Sequence, residues 1–128
     1  MAKLLIVDDE ETYRTQLSMI LTAEGHEVWT ARSGREAIEI GHSCRPDVLV
    51  ADWRLTDGTS GLHVAEALHQ ADPGLRVIMM TGYSADDLQA HLKSAGFHIL
   101  EKPFGVEDLL GVIQQALPQK AEQPDSSE

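Results

Sequence analysis

Five short apolar runs, each followed by a stretch of helical period, constrain the fold of this chain more than any other feature. The runs are LLIV (4 to 7), HEVWTA (26 to 31), DVLVA (47 to 51), LRVIMM (75 to 80) and FHIL (97 to 100). Apolar runs this continuous suit strands covered on both faces, as in buried parallel sheets. After the first run, Tyr13, Leu17, Ile20 and Leu21 share one face of a helix that Gly25 can end in a left-handed cap. SGRE (33 to 36) spells a capping box, with Ser33 accepting from a backbone N–H and Glu36 reaching back. Leu62, Ala65 and Leu68 share a face before Asp72-Pro73-Gly74 stops the third helix. Ser84 opens a fourth helix carrying Leu88, Leu92 and Ala95, and Leu109, Ile113 and Ala116 recur in a fifth until Pro118. Five strand-helix units in series predict an α/β, doubly wound, five-stranded parallel sheet with five helices. With right-handed crossovers, the simplest strand order is 2-1-3-4-5.

Charge narrows the partners of such a fold. Ten Lys plus Arg stand against 21 Asp plus Glu, a formal net charge of −11, which repels nucleic acid phosphates and anionic lipid. Neither nucleic acid nor membrane is therefore expected as a direct partner. No apolar run approaches the ~18 residues of a membrane span, and MAKLLIVDDEE is too short in apolar residues for a secretory signal. Cys44 is the single cysteine, which fits a reducing cytoplasm. One domain is expected over 1–118, followed by a polar, aperiodic tail, QKAEQPDSSE (119 to 128), that reads as disordered. The histidines at 26, 42, 63, 69, 91 and 98 show no ligand-like spacing and read as ordinary surface residues.

In open parallel sheets, sites form at the carboxyl ends of strands near the reversal of strand order. The first run ends in Asp8-Asp9-Glu10, the third in Asp52, the fourth in Thr81-Gly82 and the fifth in Glu101-Lys102-Pro103. With the first and third strands adjacent, Asp8, Asp9 and Asp52 share one crevice. Two unit charges 4 Å apart repel by about 4 kcal/mol at an effective dielectric of 20, so a cation is needed among them. Hard oxygen ligands in a hydrated site suit Mg²⁺. Lys102 adds an ammonium and Thr81 a hydroxyl, and together these groups can hold a phosphoryl group. Asp52, alone at its strand end, is the candidate nucleophile for an acyl phosphate.

IVDDE (6 to 10), DVLVADWRLTDG (47 to 58), VIMMTGY (77 to 83) and LEKPF (100 to 104), in this order, resemble the receiver domain of two-component response regulators. The resemblance covers residues 2 to about 117 and implies a flavodoxin-like (βα)5 fold. It implies that Asp52 accepts a phosphoryl group from a phosphohistidine on a sensor histidine kinase or histidine phosphotransfer protein. Asp9 and Asp52 would bind Mg²⁺ directly, Asp8 largely through water, and the backbone carbonyl of Arg54 would complete the protein ligands. Lys102 and Thr81 would bind phosphoryl oxygens, and Lys102-Pro103 would be a cis peptide. The resemblance further implies a cytoplasmic signalling protein, monomeric or weakly dimeric. It would catalyse only its own phosphorylation and slow autodephosphorylation, and would act through a downstream protein on a surface of fourth helix, fifth strand and fifth helix.

Three positions depart from the family pattern. Ile99 stands where many receivers carry an aromatic switch residue, Thr56 where Pro is frequent, and the loop TDGTSG (56 to 61) is one residue longer than the commonest form. Arg54 and Tyr83 occupy positions that tune phosphoryl lifetime in the family. Competing readings are weaker. A phosphatase of the haloacid-dehalogenase kind would carry an acid where Arg54 stands, and a nucleotide or flavin carrier would need a Gly-rich loop in place of DDEET. A phosphorylation-independent protein-binding module on the same fold is the alternative that Ile99 leaves open, with the intact acids, Asp52, Thr81 and Lys102 weighing against it.

Overall fold

The computed structural model describes residues 2–55, 58–82 and 96–117. Five strands, β1 (Lys3–Val7), β2 (Glu27–Ala31), β3 (Val48–Asp52), β4 (Arg76–Thr81) and β5 (His98–Glu101), form one parallel sheet in the order β2-β1-β3-β4-β5. Among the described residues there are four helices: α1 (Glu11–Ala23), α2 (Gly34–Cys44), α3 (Gly61–Ala71) and α4 (Val106–Ala116). The predicted helix of Leu88, Leu92 and Ala95 lies outside the described residues, as do Thr56, Tyr83 and the tail from 119 to 128. Helix α4 is the last helix that the sequence predicts.

The continuous apolar runs are explained by two separate cores. Side chains of a strand alternate between faces. Leu5, Val7, Leu49, Ala51, Val77 and Met79 therefore pack on one side with Ala37 of α2 and Val64, Ala65 and Leu68 of α3. Leu4, Ile6, Val48, Val50, Ile78 and Met80 pack on the other with Leu17 and Leu21 of α1 and Leu109 and Ile113 of α4. Every strand residue named here is buried. In α3 the buried stripe is Gly61, Val64, Ala65 and Leu68, while Leu62, expected on that stripe, is only partly buried at its edge.

Local chemistry sets the helix ends. Gly25 adopts φ 96°, the left-handed turn that closes α1. The Ser33 hydroxyl accepts from the Glu36 N–H at 3.1 Å, and Glu36 reaches back to accept from the Arg32 N–H at 2.8 Å, one residue further than the capping-box pattern predicts. Ser60 caps α3 by accepting from the His63 N–H at 3.2 Å. Where α3 enters, Gly61 donates to the Trp53 carbonyl at 3.0 Å, and a Cβ on Gly61 would lie 2.5 Å from the Asp52 carbonyl oxygen. Only glycine allows this approach of helix to strand end.

Candidate functional site

Strand register brings the predicted polar residues to one end of the sheet. Asp8 follows β1, Asp52 ends β3, Thr81 ends β4 beside Glu101, and Lys102 follows β5. Backbone bonds extend the sheet past its strands: Trp53 N–H to the Met80 carbonyl at 2.8 Å and Lys102 N–H to the Thr81 carbonyl at 2.8 Å. The side chains at these ends are thus carried on hydrogen-bonded extensions of the sheet. Lys102-Pro103 is a cis peptide, as the resemblance implies.

Asp8, Asp9 and Asp52 each offer a carboxylate oxygen, and the three oxygens lie within 4.8 Å of one another. Asp8 is fully buried and its two oxygens have separate partners, the Glu10 N–H at 2.9 Å and Lys102 Nζ at 2.9 Å. Arg14 Nη1 donates to the Asp8 carbonyl at 2.8 Å, adding positive charge behind it. Lys102 Nζ also reaches Asp52 Oδ2 at 3.4 Å, so one ammonium bridges two of three acids. Thr81 is buried at 1% exposure, and Arg54 pairs with Ser60 in an isolated antiparallel bridge. Asp52, Trp53, Arg54, Thr81, Gly82 and Lys102 line an open cleft of about 310 Å³. At about 30 Å³ per water, that is room for a phosphoryl group and several waters.

Titration reflects this crowding. Burial pushes the Asp52 carboxyl up to about 6, Lys102 opposes the rise, and Asp8 and Asp9 add to it. For Lys102, burial works against the charge, yet the hydrogen bond to Asp8 and the pull of Asp52 and Asp8 outweigh it and hold its pKa above the ordinary value. The unequal contacts account for both directions. Lys102 sits closer to Asp8 than to Asp52, so Asp52 keeps more of its desolvation cost. One ammonium cannot neutralise three carboxylates, and three hard oxygens at this spacing suit a small divalent cation that retains some of its waters.

The sequence-derived site residues Asp8, Asp9, Asp52, Thr81 and Lys102 all meet at this end of the sheet, with Arg54 directly beyond β3. Tyr13 is a contact that the sequence did not reveal. The Lys102 ammonium lies 4.1 Å from the centroid of its ring, and that ring packs on Phe104 at 5.9 Å between centroids. Its helical spacing with Leu17 marks it as a core residue, and nothing local to Tyr13 signals a lysine from the far end of the chain. Trp53 and Trp29 are partly buried against one core, as packing residues. Two of the histidines are not plain surface residues: His26 Nδ1 accepts from the Ala2 N–H at 3.2 Å, and His69 Nε2 meets the Leu75 carbonyl at 2.7 Å.

Comparison with known proteins agrees with this geometry. A family model described as the response regulator receiver domain matches residues 4–114. Sporulation initiation phosphotransferase F of Bacillus subtilis is 30% identical over 120 residues, covering 93% of this chain and 96% of that protein. The probable transcriptional regulatory protein TcrX of Mycobacterium tuberculosis is 39% identical over 107 residues, 83% of this chain but 45% of its own length. The chain thus spans about half of that relative, and 27% of the longer regulator GlrR of Escherichia coli. Among solved structures, chemotaxis protein CheY4 of Vibrio cholerae superposes with a TM-score of 0.83 at 32% identity, covering 91% of this chain and 99% of that one. Response regulator TrrA of Thermotoga maritima, solved with Mg²⁺-BeF, superposes at 0.80 with 30% identity, covering 91% and 100%. Sheet order, the acids and lysine at the strand ends, and a family match over nearly the whole described chain lead to one assignment: this chain belongs to the response regulator receiver domain family.

Proposed function

We propose that this chain is a phosphoacceptor of a two-component phosphorelay, receiving a phosphoryl group on Asp52 in a Mg²⁺-dependent reaction and presenting an altered surface to another protein. The observation that carries the reading is the convergence of Asp8, Asp9 and Asp52 within 4.8 Å beside Lys102, which bridges Asp8 and Asp52. The end-to-end likeness to a sporulation phosphotransferase and the likeness to a regulator solved with Mg²⁺-BeF support it.

In this reading an Asp52 carboxylate oxygen attacks the phosphorus of a phosphohistidine on a sensor histidine kinase or histidine phosphotransfer protein. The P–N bond breaks and the imidazole leaves with its electron pair, so Asp52 becomes an acyl phosphate. Asp8, Asp9, Asp52 and the backbone carbonyl of Arg54 would hold Mg²⁺, which when bound neutralises the carboxylates and the phosphoryl oxygens. Lys102 moves its weaker contact from Asp52 to a phosphoryl oxygen, and the Thr81 hydroxyl donates to another. Asp8 stays fixed by the Glu10 N–H throughout. Position 54 carries Arg rather than the acid a phosphatase would use, so the chain turns over no separate substrate. Thr81 and β5 pass the change towards α4. Ile99, half-buried on β5, cannot sweep the volume of an aromatic ring, which leaves movement at Thr81 as the main readout. The work of such a domain is cytoplasmic and needs neither DNA nor membrane contact.

Intact mass after incubation with Mg²⁺ and acetyl phosphate tests the proposal, with Asp52→Asn and EDTA as controls. One phosphoryl adduct, lost in both controls, is the expected result. No adduct on a folded protein that still binds Mg²⁺ would replace this reading with a phosphorylation-independent binding module.

A further inference from the structure

Lys102 is a long, flexible side chain placed among the acids of the site. Its ammonium lies 2.9 Å from Asp8 and 3.4 Å from Asp52, and its four-carbon stem carries considerable rotamer entropy. A third contact comes from α1, where the ring of Tyr13 lies 4.1 Å from Nζ. Tyr13 is itself braced by Phe104, at 5.9 Å and 48° between rings, and both pack against the core shared by α1 and α4. Lys102 and Phe104 flank Pro103, so one loop touches the ring of Tyr13 through two side chains.

We propose that Tyr13 is a positioning residue for phosphoryl transfer: its ring face holds the Lys102 ammonium between Asp8 and Asp52 and guides it onto the incoming phosphoryl group. This rests on the phosphoacceptor reading of Asp52. A ring attracts the ammonium through its quadrupole without adding a fourth negative charge to the site. Because that attraction is broad rather than directed like a hydrogen bond, Nζ can exchange Asp52 for a phosphoryl oxygen while still in contact with the ring. A carboxylate in the place of Tyr13 would instead compete with the phosphoryl group for the ammonium.

The test follows the rate of Asp52 phosphorylation by acetyl phosphate with Mg²⁺ in the full chain, comparing wild type, Tyr13→Phe, Tyr13→Leu and mono-, di- and trifluorinated phenylalanines at position 13. Tyr13→Phe keeps the ring face and is expected within about twofold of wild type, while Tyr13→Leu falls by roughly 5- to 30-fold, the range of a partly desolvated cation–π contact. Fluorination weakens the quadrupole at nearly constant shape, so the rate falls stepwise with each fluorine, an effect that packing alone does not produce. The Lys102 ε-methylene proton resonances, shifted upfield by the ring in wild type, move downfield in Tyr13→Leu. If Tyr13→Leu does not fold, the fluorinated series decides alone. Equal rates across that series overturn the role of Tyr13 and leave the phosphoacceptor reading intact. A wild type that takes no phosphoryl group overturns both.

Discussion

At the scale of single residues, the site is a place where folding has concentrated charge at a cost. Asp52 shows the cost directly, because burial and the neighbouring acids raise its pKa to about 6. A carboxyl whose folded pKa exceeds its unfolded value binds its proton more tightly when folded. Its contribution to stability is therefore complete below the unfolded pKa of 3.8 and is lost as pH rises through about 6. Without divalent cations, Asp52→Asn is expected to be more stable than wild type by about 1 to 3 kcal/mol near neutral pH. Lys102 keeps its 2.9 Å partner Asp8 in that variant. The gap should shrink as pH falls through about 6 and close below about 3.8, where wild-type Asp52 is protonated in both states. Urea unfolding of both proteins at the two pH values measures it, and equal stability at neutral pH would contradict the account. Asp8, Asp9, Asp52, Thr81 and Lys102 were legible in the sequence because a parallel sheet delivers all its carboxyl ends to one side, so position in each run sufficed. Tyr13 was not, because its role depends on a loop that reaches α1 only in three dimensions.

At the scale of elements, α3 enters close against the end of β3 that carries Asp52. Gly61 carries the first residue of that helix past the end of β3. A Cβ there would meet the Asp52 carbonyl oxygen at 2.5 Å and the Met79 sulfur at 2.6 Å. The sulfur belongs to a flexible side chain that can shift, but the carbonyl belongs to β3 and cannot move without tilting Asp52, the proposed phosphoryl acceptor. Gly61→Ala is expected to cost about 1 to 3 kcal/mol, as overpacking does, and to slow phosphorylation of Asp52 as well. Gly111→Ala, in α4 where a Cβ meets nothing within 4 Å, should stabilise by about 0.5 to 1 kcal/mol through helix propensity, leave phosphorylation unchanged, and serve as the control. Chemical denaturation and the acetyl phosphate assay on both variants give the comparison. Strands and helix periods were readable from the sequence, since two-sided burial demands continuous apolar runs and one-sided burial demands a stripe. The details that escaped it are set by neighbours. Leu62 yields the buried stripe to Val64, and Glu36 finds the Arg32 N–H in place of the Ser33 N–H.

At the scale of the whole molecule, the excess of acid has two components that behave differently towards salt. The net charge of −11 is spread along the chain, and any salt screens that part of it. The convergence of Asp8, Asp9 and Asp52 is local and partly buried, so screening relieves it less than it relieves exposed charge, while a cation bound there relieves it directly. Mg²⁺ should therefore stabilise the fold beyond what monovalent salt of equal ionic strength achieves. Binding to the folded state alone at one hundred times the dissociation constant contributes about 2.7 kcal/mol, roughly 6 to 10 °C in melting temperature for a domain of this size. Asp9→Asn replaces one of the three carboxylates by a neutral amide while leaving the Lys102 contacts of Asp8 and Asp52 in place, and should lose most of the Mg²⁺ shift but keep the sodium response. Thermal melts of wild type and Asp9→Asn in matched sodium and magnesium chloride separate the two components. If both salts raised the melting temperature equally in both proteins, the acids would be only part of the general surface charge, and the metal-dependent chemistry proposed for Asp52 would lose its physical basis.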